Sequence, residues 1–204
     1  MSIENIVFDL GGVLIEWNPE RIIAGFTDDP ELSQTLMVSI FDHPDWAAKD
    51  RGTYSETELT QRFAQRTGLS VGDITELMLA IKNSLLLMPD TLPLMDELRT
   101  KGYTLYCLSN MPVEHYVHLK NKCDFWDKFE GIVISGQVNM VKPEPEIYQY
   151  LLSEYQLDPA TCVFIDDSPK NIEVARSIGM NGIVFTDVQS CRQELRAMLK
   201  NEQE

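Results

Sequence analysis

The chain has 204 residues, 44% of them hydrophobic, and sets 17 Lys and Arg against 32 Asp and Glu for a formal net charge of -15. That surplus repels nucleic acid and anionic membranes over most of the surface, so neither is an expected partner and a small substrate held by local cations fits better. No stretch approaches the roughly eighteen apolar residues of a membrane span, and the start has no basic flank or cleavage site, so a cytoplasmic protein with one sizeable core, or a core carrying a small insertion, is expected.

The first predicted element is the apolar run Asn5-Ile6-Val7-Phe8, which ends on Asp9 and then breaks at Gly11-Gly12. It reads as a strand buried on both faces, delivering Asp9 to the carboxyl edge of a sheet, where open α/β sheets bind ligands. The glycines let the backbone turn sharply and let a ligand or metal come close, which suits Asp9 as a nucleophile or metal ligand; an acid that simply ends a strand is the plainer alternative. From 16 to 88 the pattern is helical and charge-rich with no strand, which predicts an α-helical cap (16–88) inserted into an α/β core made of 1–15 and 89–204. Inside it, Ser55-Glu56-Thr57-Glu58 is a capping box opening a helix that runs through Arg66 and stops at Gly68. Ser70 caps a second helix over 73–86, whose stripe of Ile74, Leu77, Met78, Ile81 and Leu85 follows the 3.6-residue period and reads as cap core.

Past the cap, Asp90-Thr91-Leu92 starts a helix that Gly102 ends. A strand over 103–108 then runs into Ser109-Asn110, a helix follows, and the next strand covers 131–134. Val141-Lys142-Pro143-Glu144-Pro145 puts a lone Lys on a turn, with prolines opening a helix over 147–155. A strand over 162–165 ends in Asp166-Asp167-Ser168, and after one more helix the last strand is expected at 183–185. The polar tail from Lys200 is expected to fray. Cys107, Cys123, Cys162 and Cys191 show no paired spacing and read as reduced structural thiols. The four polar tips supply a carboxylate, a hydroxyl beside main-chain amides, an ammonium and a carboxylate pair, the parts needed to move a phosphoryl group with a divalent metal.

The order and spacing of these tips resemble the haloacid dehalogenase-like (HAD) hydrolase superfamily. Asp9 matches its nucleophile, Ser109 the second-motif hydroxyl, Lys142 the third-motif lysine, and Asp166-Asp167 the acidic fourth motif. Phe8-Asp9-Leu10-Gly11-Gly12-Val13, Leu108-Ser109-Asn110 with His115 six positions after the serine, and the run from Phe164 to Ile172 look most like the sugar-phosphatase branch, which includes glucose-1-phosphate phosphatases and the phosphatase domain of epoxide hydrolases. The resemblance implies a Rossmannoid core, a doubly wound parallel sheet of five strands. It implies hydrolysis of small phosphate esters, sugar phosphates among them, through an aspartyl-phosphate on Asp9. Mg²⁺ would be held by Asp9, the carbonyl of Gly11 and Asp167, with Asp166 orienting water beside it, or with the two acids exchanged. Ser109 and the amides around Asn110 would bind phosphate, and Lys142 would bridge Asp9 and a phosphate oxygen.

One position departs from the pattern. Most phosphatases of the superfamily carry an acid two residues after the nucleophile, where this chain has Gly11. Dehalogenases also lack it, so a 2-haloacid dehalogenase-type hydrolase is the alternative, opposed by the intact Asp166-Asp167 pair; a catalytically silent HAD-fold binding module is a third reading. Because missing acid help matters least for a stable leaving oxygen, Gly11 predicts faster cleavage of sugar 1-phosphates than of matching 6-phosphates. His43 or Asp45 of the cap could replace the acid, Trp17 or Trp46 could stack on a sugar, and His115 and His118 are expected to serve helix packing or a hydrogen bond to a loop.

Overall fold

The structure, a computed structural model, describes residues 2–200. After the first strand, β1 (Asn5–Phe8), the chain builds α1 (Pro19–Phe26), α2 (Pro30–Leu36), a π-helical turn over Met37–Phe41, α3 (Pro44–Arg51), α4 (Glu56–Thr67) and α5 (Val71–Ser84). These helices enclose an apolar cluster of their own, formed by Ile22, Leu36, Ile40, Phe63, Leu77 and Ile81 among others. Both N-terminal signals act as read: Ser55 and Glu58 form a reciprocal capping box, Ser70 and Asp73 form another, and Gly68 ends α4 in the left-handed region at φ 76°.

The second half alternates helix and strand: α6 (Leu92–Thr100), β2 (Thr104–Ser109), α7 (Val113–Lys122), β3 (Gly131–Ile134), α8 (Ser135–Val138), α9 (Pro145–Glu154), β4 (Cys162–Asp166), α10 (Pro169–Ser177), β5 (Asn181–Val184) and α11 (Val188–Lys200). The five strands form one parallel sheet in the order β3-β2-β1-β4-β5. All of β1 is buried because both faces are covered: Ile6 and Phe8 enter one apolar layer with Leu94 and Leu119, and Val7 enters the other with Ile147 and Tyr148. A one-residue slip would exchange the two layers. Because both layers are apolar, burial alone would survive such a slip, and the register is fixed by the side-chain packing within each layer and by the polar Asp9 at the strand's end.

Several boundaries shift from the sequence reading, among them the end of α5 and the start of β5. α5 ends at Ser84, two residues before the expected 86, because Leu85 turns out of the helix at φ -72° and ψ 86°. The two linkers to the helical segment pair with each other there: the Glu16 amide donates to the Leu86 carbonyl at 2.7 Å and the Met88 amide to the Leu14 carbonyl at 2.8 Å. β5 begins at Asn181 instead of 183, because its partner β4 supplies a ladder that pairs Asn181 with Val163. Among the described residues no helix is long and apolar enough to cross a membrane. The tail expected to fray lies, beyond Lys200, outside the described residues.

Candidate active site

In a parallel sheet every strand ends at the same edge, so β1, β2 and β4 bring Asp9, Ser109 and Asp166-Asp167 together. β1 is the strand at which the connections change direction across the sheet. The Asp9 amide extends the ladder by donating to the Ile165 carbonyl at 2.9 Å. Lys142 reaches the edge from the loop before α9. Asn110 holds that loop, its carboxamide donating to the Lys142 carbonyl at 2.9 Å and accepting the Lys142 amide at 2.7 Å. Asn110 was expected at the phosphate; its side chain is committed to the lysine loop, which leaves its backbone amide for an anion.

The Lys142 ammonium lies 2.8 Å from Asp9 Oδ1 and 2.7 Å from Asp166 Oδ2, with all three side chains buried. Asp9 Oδ1 also accepts the Leu10 amide at 2.7 Å. Asp166 accepts further bonds from the Ser168 amide at 2.8 Å and the Asn171 carboxamide at 2.9 and 3.1 Å, so both of its oxygens are engaged. Asp167, by contrast, is exposed toward the cleft. Gly12 makes room for it: with φ 71°, a Cβ added there would sit 2.2 Å from Asp167 Oδ2. No other residue type fits so close to the acid.

The charges oppose one another. Burial pushes the Asp9 carboxyl up, Lys142 pulls it down, and Asp166 and Asp167 push it up again, to about 7. Burial alone would lower the Lys142 ammonium, but its two carboxylate neighbours outweigh burial and raise it. Asp167 is also raised, by desolvation first and then by Asp166. One oxygen each of Asp9, Asp166 and Asp167 lie within 4.8 Å of one another. Three carboxylates against one ammonium leave net negative charge in a confined place, and such a set of hard oxygen donors fits Mg²⁺.

Above this edge lies a cavity of about 260 Å³. Asp9, Gly11, Ser109, Lys142 and Asp167 line it from the sheet side, and Trp17, Trp46, Asp50 and Leu85 line it from the helical side and its linkers. Trp17 and Trp46, either of which could stack on a sugar, are both in the wall, with ring centres 5.5 Å apart and Phe41 backing Trp46 at 4.9 Å. His115, expected to serve helix packing or a hydrogen bond to a loop, is in the wall as well. Its Nε2 is 3.4 Å from Lys49 Nζ, and burial first, then the charge of Lys49, lower its pKa to about 3.

Asp45 and His43 are not in the wall. Asp45 is buried against the Arg62 guanidinium at 3.0 Å and against Arg66, bonds that hold its carboxyl down at about 2, and His43 caps α3 by accepting the Asp45 amide on Nδ1 at 3.1 Å. Two polar wall residues, Asp50 and Asn171, were not singled out in the sequence reading. Asn171 lies inside the quoted run from Phe164 to Ile172, one turn into α10, so a signal for it existed. Asp50 had none, because nothing in the mixed charges of 44–51 marks which of them turn inward, and in the fold Asp45, Lys49 and Asp50 are all buried. All four cysteines are free thiols, and burial pushes Cys162 up to about 11 and Cys191 to about 12, away from reactivity.

Known proteins share this architecture. The chain is 29% identical over 195 residues to the sesquiterpene phosphatase astK of Aspergillus oryzae, covering 95% of each chain. It is 26% identical over 216 residues to a D-ribitol-5-phosphate phosphatase of Bacteroides thetaiotaomicron, covering 98% of this chain and all of the other. Among solved structures, a HAD family enzyme from Bacteroides thetaiotaomicron in complex with magnesium and inorganic phosphate superposes with a TM-score of 0.72 at 27% identity, over 93% of this chain and 99% of the other. A family model described as haloacid dehalogenase-like hydrolase matches residues 3–179. Since that match runs from the first strand past the acidic pair and encloses the whole sheet edge that carries the polar tips, the chain belongs to the haloacid dehalogenase-like family of hydrolases.

Proposed function

We propose that the protein is a Mg²⁺-dependent phosphatase of small phosphorylated metabolites, sugar phosphates among them, and that residues 16–88 act as a cap over a core formed by 1–15 and 89–204. The observation that carries this reading is the buried Lys142 ammonium between Asp9 and Asp166, on an edge that also presents Asp167 and Ser109. The names of the two phosphatase relatives, and the phosphate and magnesium held by the structural relative, support it.

A phosphate dianion repels an attacking carboxylate, so the site must neutralise charge before Asp9 can act. Held by Asp9, Asp167 and the Gly11 carbonyl, with Asp166 behind them, Mg²⁺ would supply positive charge to the phosphoryl oxygens. Lys142, 2.8 Å from Asp9 Oδ1, supplies the rest, and its two carboxylate contacts keep it charged and fixed in direction. Ser109, buried at the tip of β2, offers its hydroxyl to a phosphoryl oxygen. Asp9 then forms the aspartyl-phosphate and water releases inorganic phosphate.

Phosphate release from a panel of sugar, polyol and prenyl phosphates, with Mg²⁺ and with EDTA, tests the reading, using Asp9→Asn as control. Release that needs Mg²⁺ and disappears in the variant is the expected result. Turnover of a 2-haloacid that EDTA spares would identify a dehalogenase, and silence toward all of these would leave a binding module. The preference for sugar 1-phosphates over 6-phosphates argued from Gly11 holds to the extent that no other acid reaches the leaving oxygen, and kcat/KM for matched pairs measures it.

A further inference from the structure

Cleaving an alkyl phosphate calls for a proton on the departing oxygen and then a base for water, and Gly11 can provide neither. The cap contributes one carboxyl to the cavity wall, that of Asp50. This residue is only 9% exposed, yet among the described residues its carboxyl has no hydrogen bond or ion pair, whereas Asp9 and Asp166 are both tied to Lys142. The backbone around it is well fastened. Its carbonyl accepts the Ser135 hydroxyl at 2.6 Å, and the same hydroxyl accepts the Met111 amide at 2.8 Å, linking the end of α3 to the loop after β2. Next to it, the Arg51 guanidinium donates to the Asn139 carbonyl at 3.2 Å and pairs with Glu144. Gly52 turns in the left-handed region at φ 77° directly against Gly136, whose carbonyl would be 3.3 Å from an added Cβ. A carboxyl without partners on so firmly held a backbone is placed for the cavity and not for the fold.

The geometry points to Asp50 as the acid and base of this site, supplied by the cap in place of the carboxyl that Gly11 lacks; the inference rests on the phosphatase reading. In the first half-reaction the bond from Asp9 to phosphorus forms, the bond from phosphorus to the alcohol oxygen breaks, and the Asp50 proton passes to that oxygen. In the second, water adds to phosphorus and gives a proton to Asp50 while the bond to Asp9 breaks. Inorganic phosphate leaves, and Asp9 is again ionised and Asp50 protonated. The groups around Asp50 agree with such a role. Burial pushes its carboxyl up and the charges of Lys49 and Lys142 draw it part of the way back, to about 6, while Asp9, Asp167 and the unprotonated His115 share the cavity. Burial first and then the charge of Lys49 lower His115 to about 3, which disfavours the imidazolium that an acid role there would need.

The test compares wild type and Asp50→Asn, both with Mg²⁺, on p-nitrophenyl phosphate, whose leaving oxygen needs no proton, and on a sugar 6-phosphate, whose leaving oxygen does. We expect kcat/KM for the 6-phosphate to fall by about 10²–10⁴ and that for the aryl ester by less than about tenfold, with partial recovery of the 6-phosphate in Asp50→Glu. Retained aryl turnover also shows that the variant folds. Equal losses on both esters, or no loss, overturn the role of Asp50 and leave the phosphatase reading intact, whereas wild type inactive on both overturns the two together. Wild type alone gives an independent reading across a series of phosphates graded in leaving-group pKa. A shallow fall in kcat/KM with rising pKa is expected of a protonated leaving oxygen, and a steep one, near tenfold per unit or about 1.4 kcal/mol, would overturn the inference.

Discussion

Gly12 meets two demands at once, a positive φ and the closeness of Asp167, and only the first could be guessed from a glycine after a strand. Gly12→Ala places an L residue at φ 71°, which costs about 1–2 kcal/mol, and pushes the Asp167 carboxylate off its position. The expected outcome is a Tm a few degrees lower and Mg²⁺ affinity weakened about tenfold or more by calorimetric titration; unchanged affinity would count against Asp167 as a ligand. Asp9→Asn should cut phosphate release on the order of 10³-fold or more and leave no hydroxylamine-labile phosphate on the protein after an acid quench. Asp9, Ser109, Lys142 and the acidic pair were legible because each stands at the tip of a strand or on a turn marked by proline. Asp50 was not, because its significance lies in which way one helix turns its charges, and a sequence of mixed charge such as Pro44–Arg51 does not say.

Helix α3 illustrates the same point for elements. Pro44, placed in a polar turn by the sequence reading, opens it and Gly52 ends it, and its charged residues point inward to other helices and to the sheet edge. Asp45 joins α3 to Arg62 and Arg66 of α4, and Arg66 continues to the Ser39 carbonyl at 2.7 Å. Removing that carboxylate strands two guanidinium groups, so Asp45→Asn should lower unfolding free energy by about 1–3 kcal/mol in urea and speed hydrogen exchange in α3 and α4, with Mg²⁺ affinity unchanged. Had Asp45 been the catalytic acid, the loss would appear in turnover instead. The capping boxes at Ser55 and Ser70 were local and therefore legible; the end of α5 was not, since it is set by pairing between linkers 70 residues apart in the chain, as between Glu16 and Leu86. β5 was read short because Asn181-Gly182 looks like a turn. In the fold, Gly182 is where α10 presses on the sheet, an added Cβ falling 2.8 Å from the Ile172 side chain.

For the whole molecule, the site's acids set a pH dependence of known sign. Asp9 and Asp50 are raised from 3.8 to about 7 and about 6, so the folded protein binds more protons than the unfolded chain over that window. Their contribution to stability is complete below about pH 4 and is lost as pH rises toward 7, by up to about 1.4 kcal/mol per pH unit for each. Asp45, held at about 2, runs the other way: its contribution is present above 3.8 and fades as pH falls toward 2. In EDTA, stability should therefore peak at acidic pH and decline toward neutrality. Mg²⁺ should flatten that decline by stabilising ionised Asp9, so its effect on Tm should grow between pH 5 and 7.5; an increment that does not change with pH would argue against Asp9 as a ligand. The strand order was foreseen only as a sheet type, because which strands lie side by side depends on how far each connection reaches. The bond from the Ser135 hydroxyl to the Asp50 carbonyl also bears on how such proteins can be recombined. A chimaera that transplants residues 16–88 from a relative without residues 135–144 would import a roof whose anchor points are missing, so specificity and chemistry should travel between relatives only when the two segments are exchanged as a pair.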